Sequence, residues 1–279
     1  MKRTLFSLLL TLAMLLSLLP AAYALGEEKL PDEDGYGYTY RFVTRDTIEI
    51  TSYSGYETEV VVPATIDGYT VVGIQSFHAT ECYSDPNVVV RKVTLPDTVT
   101  YIADDAFYDS DDWSAKTHSA LREIVLPQSL KTIGERAFYH NYYLEKIDIP
   151  ASVTEIGAGA FWRADITGVT ILAGVREIGP SAFYESTVLT AVDIPGSVAR
   201  IDNSAFSGCT GLTSVTLHEG LQVIGDGAFR ECEGLTSLDL PDGLTTLEDT
   251  ALYDCANIER FTFPASLSNM DLSSIDTSK

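Results

Sequence analysis

Positive charge is scarce in this 279-residue chain, where 18 Lys and Arg face 40 Asp and Glu for a formal net charge of −22. A surface of that sign repels phosphate backbones and anionic headgroups, which argues against nucleic-acid binding and docking on acidic lipid. Cysteine is rare as well. Cys209, Cys232 and Cys255 are spaced by 23 residues, which fits no zinc pattern, and Cys82 lies apart from them. Four histidines, His78, His118, His140 and His218, have no recurring acid or nucleophile beside them. His218-Glu219 starts like a zincin motif, but Gln222 stands where the second ligand belongs, and no G-x-S-x-G occurs. Nothing supplies a nucleophile, base and orienter together. No catalytic, cofactor-binding or metal-ligating residues are therefore expected.

Long apolar runs are confined to the N-terminus. Lys2 and Arg3 precede an apolar run over residues 5–19, Pro20 breaks it, and Ala22-Tyr23-Ala24 offers a small-residue cleavage point. The pattern reads as a secretory signal peptide over residues 1–24, since the run is shorter than the roughly 20 residues of a spanning helix. The mature chain is expected to be exported, acidic and self-repelling, with no later membrane insertion. The end, DLSSIDTSK, carries no sorting motif or lipid site, and a polar C-terminal cap is not evident beyond Met270.

What the chain has in abundance is one sentence rewritten. Phe77, Phe107, Phe138, Phe161, Phe183, Phe206, Phe229 and Leu252 follow one another at spacings of 30, 31, 23, 22, 23, 23 and 23. A fixed period in the twenties marks a solenoid, whose units bury their apolar sides against their neighbours. Within each unit, alternation predicts a strand: KVTL (92–95), EIVL (123–126), KIDI (146–149), GVTI (168–171), AVDI (191–194), SLDL (237–240) and RFTF (260–263). A proline usually ends it, as at Pro96, Pro127, Pro150, Pro195, Pro241 and Pro264. Two inward residues follow, such as Leu221 and Ile224, then a turn. Gly225 and Gly227 are read as turn residues and not as a phosphate loop, because Asp202 and Ser204 replace them one unit earlier.

The pattern L-x-x-I-x-I-P-x-S-V-x-x-I-G-x-x-A-F-x-x-C closely resembles the BspA-type (Treponema-type) leucine-rich repeat family. The resemblance implies a right-handed repeat solenoid with one parallel β-sheet face, short or helical turns opposite, and an N-terminal β-hairpin cap. It places the linker and cap at residues 25–58, the solenoid at 59–270 and a tail at 271–279. Alternation of Tyr36, Tyr38, Tyr40 and Phe42, then of Ile48 and Ile50, independently predicts that hairpin. The resemblance further implies a secreted or cell-surface bacterial protein that adheres to an extracellular protein partner, such as host matrix or another cell. Glycan or cell-wall polymer binding through aromatics is the alternative.

Three surfaces are candidates. The array is interrupted by insertions at residues 78–87 and 108–119, which leave adjacent coils on one side. They are expected to bring Tyr83 and Trp113 together, ringed by Asp85, Asp109, Asp111 and Asp112, against the alternative of solvated loops. Calcium chelation by these aspartates is not assigned, since their spacing matches no calcium loop. The residue after each anchor forms an aromatic row, Tyr108, Tyr139, Trp162, Tyr184 and Tyr253, interrupted by Ser207 and Arg230. It is read either as a sticky edge or as packing between coils. The outward strand row, Thr94, Val125, Asp148, Thr170, Asp193, Thr216, Asp239 and Thr262, is flat, small and acidic. The three cysteines share a repeat position with Ser110, Asn141, Ala164 and Ser186, read as a small inward slot.

Overall fold

The computed structural model describes residues 28–29, 37–55, 57–77, 90–109 and 120–267. The signal-peptide reading, both insertions and the tail lie outside the described residues, apart from Tyr108 and Asp109. In chain order the strands are β1 (Glu28–Lys29), β2 (Gly37–Phe42), β3 (Thr47–Ser54), β4 (Glu59–Val61), β5 (Thr65–Ile66), β6 (Tyr69–Ile74), β7 (Lys92–Thr94), β8 (Tyr101–Ile102), β9 (Glu123–Val125), β10 (Thr132–Ile133), β11 (Lys146–Ile149), β12 (Glu155–Ile156), β13 (Gly168–Ile171), β14 (Glu177–Ile178), β15 (Ala191–Ile194), β16 (Arg200–Ile201), β17 (Ser214–Leu217), β18 (Val223–Ile224), β19 (Ser237–Asp239), β20 (Thr246–Leu247) and β21 (Arg260–Thr262). They wind as a β-solenoid.

The alternating segments lie where their pattern puts them. They form one side of the coil as a parallel ladder, β4-β7-β9-β11-β13, followed by the pairs β15–β17 and β19–β21. Matched repeat positions face each other, as in Ile147 against Val169 or Val192 against Val215. The structure adds a second sheet where turns were expected. The even-numbered strands from β6 to β20 run parallel in a ladder that continues through β3 into the N-terminal hairpin. Each of these strands from β8 onward has two residues, one outward and one inward, as in Thr132–Ile133. Two residues are too few for alternation to show. Helical turns are likewise not the rule: the one helical element among the described residues is a short 3-10 segment, Ala265–Leu267.

A third column of hydrogen bonds closes the coil around the Ala-Phe pairs. Each anchor amide from Phe77 to Phe229 donates to the alanine carbonyl of the following coil, as from Phe138 to Ala160, Phe183 to Ala205 and Phe206 to Ala228, all at 2.7 Å. The residues two before and two after the anchor donate the same way, for example Arg136 to Ala158 and His140 to Trp162. Both flanking positions have left-handed backbones: Arg136 and His140, Ser181 and Glu185, Ser204 and Gly208. Side chains adopt that conformation at a cost of about 1 kcal/mol or more, so its recurrence reflects the bonds it aims. In these bonds N–H groups face the C-terminal end and carbonyls the N-terminal end. Their dipoles therefore add, whereas those of a β-sheet largely cancel.

The interior is a ladder of rings. Tyr53 from the hairpin heads a column continued by Phe77, Phe107, Phe138, Phe161, Phe183, Phe206 and Phe229, with neighbouring centroids 5.0 to 5.5 Å apart. At some of the turns after the even strands, coils approach too closely for a side chain. A Cβ on Gly157 would stand 2.6 Å from the Gly134 carbonyl carbon. Gly227, by contrast, is a left-handed turn residue (φ 62°), the role Ser204 has one coil earlier.

Candidate binding surfaces

The third column sets the aromatic row. Because the residue after each anchor faces outward, Tyr108, Tyr139, Trp162 and Tyr184 stand one above another along an edge. Their rings touch in sequence: Tyr108 to Tyr139 at 5.2 Å, Tyr139 to Trp162 at 5.6 Å and Trp162 to Tyr184 at 4.7 Å. The fully buried His140 ring stacks on Tyr139 at 3.8 Å. All four row members are half-buried, and each ring is packed against the next. The Trp162 indole N–H is buried with no hydrogen-bond partner among the described residues. Arginines frame the row: Arg136 forks onto Asp105 with two 2.8 Å bonds, and Arg163 meets Glu185. Both carboxylates hold their arginine's proton more tightly than usual. Beyond Ser207 the row resumes, with the Arg230 guanidinium 5.0 Å over Tyr253.

Asp109 does not join an exposed acidic ring. It is 2 % exposed, with its amide donating 3.0 Å to the Tyr139 carbonyl. The reason is local: two residues past the anchor, the third column still holds the chain against the next coil. Tyr83, Asp85, Asp111, Asp112 and Trp113 lie outside the described residues.

The outward strand row is flat and polar, as its residues imply. Neighbouring coils bond across it, His218 Nε2 to Asp193 at 2.7 Å and the Thr262 hydroxyl to Asp239 at 2.7 Å. Val125 and Val61 are its exposed apolar members. Among the described residues, no three His, Cys, Asp or Glu converge as metal ligands.

The small slot has a function its composition only hinted at. The thiols of Cys209, Cys232 and Cys255 donate to the carbonyls of Phe183, Phe206 and Phe229 one coil earlier, at 3.1, 3.2 and 3.0 Å. The Asn141 amide and Ser186 hydroxyl make the same bond, to Phe107 at 2.7 Å and Phe161 at 3.0 Å. In these five coils the slot holds a small donor, whereas Ala164 fills it with a methyl group alone. Cys, Ser and Asn share an N–H, O–H or S–H, and that common property was the readable signal. All three cysteines are free and buried, and burial pushes the Cys209 thiol up to about 12 and that of Cys255 up to about 11.

The BspA type leucine-rich repeat model matches residues 78–213 and 176–278, in six copies. The chain belongs to the BspA-type leucine-rich repeat family. A leucine-rich repeat protein of T. pallidum is similar over 77 % of this chain and 89 % of its own, at 29 % identity and a TM-score of 0.57. A leucine-rich cell surface protein of Faecalibacterium prausnitzii A2-165 aligns over 91 % and 93 % of the two chains, at 20 % identity and a TM-score of 0.40. No curated protein matches. Membership of this leucine-rich repeat family points, in general terms, to protein–protein interaction.

Proposed function

We propose that the chain works outside the cytoplasm as a non-catalytic adhesion protein, binding an extracellular protein partner through the solenoid surface. Membership of the BspA-type family carries the reading, and the leader-like residues 1–24 support export. The contact patch is proposed on the two insertions, with Tyr83 and Trp113 as aromatic anchors beside the Tyr108–Tyr184 row. A packed row favours protein over glycan, because rings lying against one another offer a sugar edges more than faces. The negative surface selects a partner with basic groups.

The test is a screen of the mature chain against matrix proteins and a glycan array. Salt-sensitive protein hits support adhesion. Sugar hits lost on substituting Trp162 or Tyr184 would replace it with the glycan reading, and an empty screen on both would remove the adhesion reading.

A further inference from the structure

The sides of the coil do not begin together. The even ladder starts with three hairpin-associated strands, β1, β2 and β3, before it reaches β6. The ring column also starts early, with Tyr53 stacked on Phe77 at 5.5 Å. The odd ladder starts only at β4, and among the described residues no strand pairs with its outer edge. Among the described residues, one layer of the solenoid thus has two sides and not the third. In its place is a notch of about 360 Å³, walled by Tyr38 and Tyr53, rimmed by Glu57 and Glu59, and floored by Val60 and Val61.

The backbone there is ready to pair. The Thr58 carbonyl accepts from Lys92, and the Val62 amide donates to Thr94 at 2.9 Å, so residues 58, 60 and 62 face β7. Glu59 and Val61 therefore turn their amides and carbonyls outward. Val61 is 73 % exposed. Sheet edges are usually blunted by charge, proline or a covering segment; β4 has one glutamate.

We propose that the outer edge of β4 is a strand-addition site for an extended segment of a basic partner protein, carrying a cation, an apolar residue and a small β-branched residue in succession. This deepens the protein-binding reading and rests on it. Register dictates the order of residues. The row through Glu59 runs Glu59, Lys92, Glu123, Lys146, and alternating charge calls for a cation on the other side of Glu59. The next residue stacks over Val60 and points into the notch beside the paired rings of Tyr38 and Tyr53. The third lies over Val61 in the row that holds Thr94 and Val125. Main-chain bonds supply affinity and the alternate side chains specificity.

The test is a fluorescence-anisotropy titration of the full chain with a labelled hexapeptide, Val-Arg-Lys-Val-Thr-Leu, which copies the strand β4 already holds on its inner edge. Binding is expected, and N-methylation of the central valine, whose amide would face β4, should abolish it. Changing the peptide lysine to glutamate should weaken it roughly three- to fivefold. Glu59→Lys should reverse that preference, and Val61→Pro should remove binding without relying on charge. No binding up to millimolar peptide, or equal binding of the N-methylated peptide, overturns the proposal. Self-association of the chain that Arg260→Glu and Val61→Pro both abolish would make the occupant β21 of a second copy, which overturns the partner assignment. A matrix-protein hit that survives Val61→Pro when the peptide does not bind would end this inference and leave the wider reading standing.

Discussion

Each buried side chain works at once within its own coil and between coils. Phe206 is fully buried, with Phe183 at 5.1 Å on one side and Phe229 at 5.3 Å on the other. Phe206→Ala should cost about 3–5 kcal/mol in a urea titration. A loss nearer 0.5 kcal/mol would show that the ring is not a core element. The thiols make a second residue-scale case, through pH. Burial raises the folded-state values of Cys209 to about 12 and Cys255 to about 11, from an ordinary 9.0. The unfolded chain therefore loses these protons first, so the stability they contribute is complete below about pH 9 and declines toward pH 11–12. A melting series from pH 8 to 11 should fall more steeply for the parent than for the triple Cys→Ser variant. Equal slopes would assign the decline to other groups, among them Tyr38, which burial also pushes up to about 12.

At the scale of elements, the regular parts of the coil and the insertions are proposed to have different jobs. A coil of 23 residues already closes three hydrogen-bonded columns, so the extra residues of 78–87 and 108–119 are not needed to complete it. Binding a partner is their proposed use, with the contacts made there offsetting the entropy lost on ordering them. Trp113→Ala should weaken partner binding by about 2 kcal/mol while leaving the melting temperature nearly unchanged. Trimming both insertions to the regular repeat should abolish binding and preserve the circular dichroism of the parent. Undiminished binding by the trimmed chain would move the contact to the strand face or the aromatic row.

The whole molecule inherits its asymmetry from the one-way third column. Every coil in it is held by the amides of the coil before and the carbonyls of the coil after. At the C-terminal end, Leu252 is 1 % exposed, yet its amide and that of Asp254 find no such acceptor among the described residues. Among the described residues, β20 and β21 also have neighbours on one side alone. In a solenoid whose stability is a sum of coils and nearest-neighbour interfaces, such an end opens first. Hydrogen exchange should be fastest over residues 244–262 and slowest over residues 153–206. Uniform protection along the array would mean that the chain unfolds as one unit.

The sequence by itself determined the solenoid, its ring column and its long strands, because a 23-residue period and alternate burial are properties of neighbours in the chain. It named the anchors from Phe77 to Leu252, and the slot occupied by Cys209, Cys232 and Cys255. The second sheet was decided only by tertiary structure. A strand such as Thr132–Ile133 is too short to announce itself and exists because the coils before and after hold it. The burial of Asp109 and the donor role of the slot likewise depend on a carbonyl or amide one coil away. The notch at β4 depends on more still, since it arises from two sides of one coil that start at different heights. No local pattern records such a mismatch; it arises when distant segments are stacked.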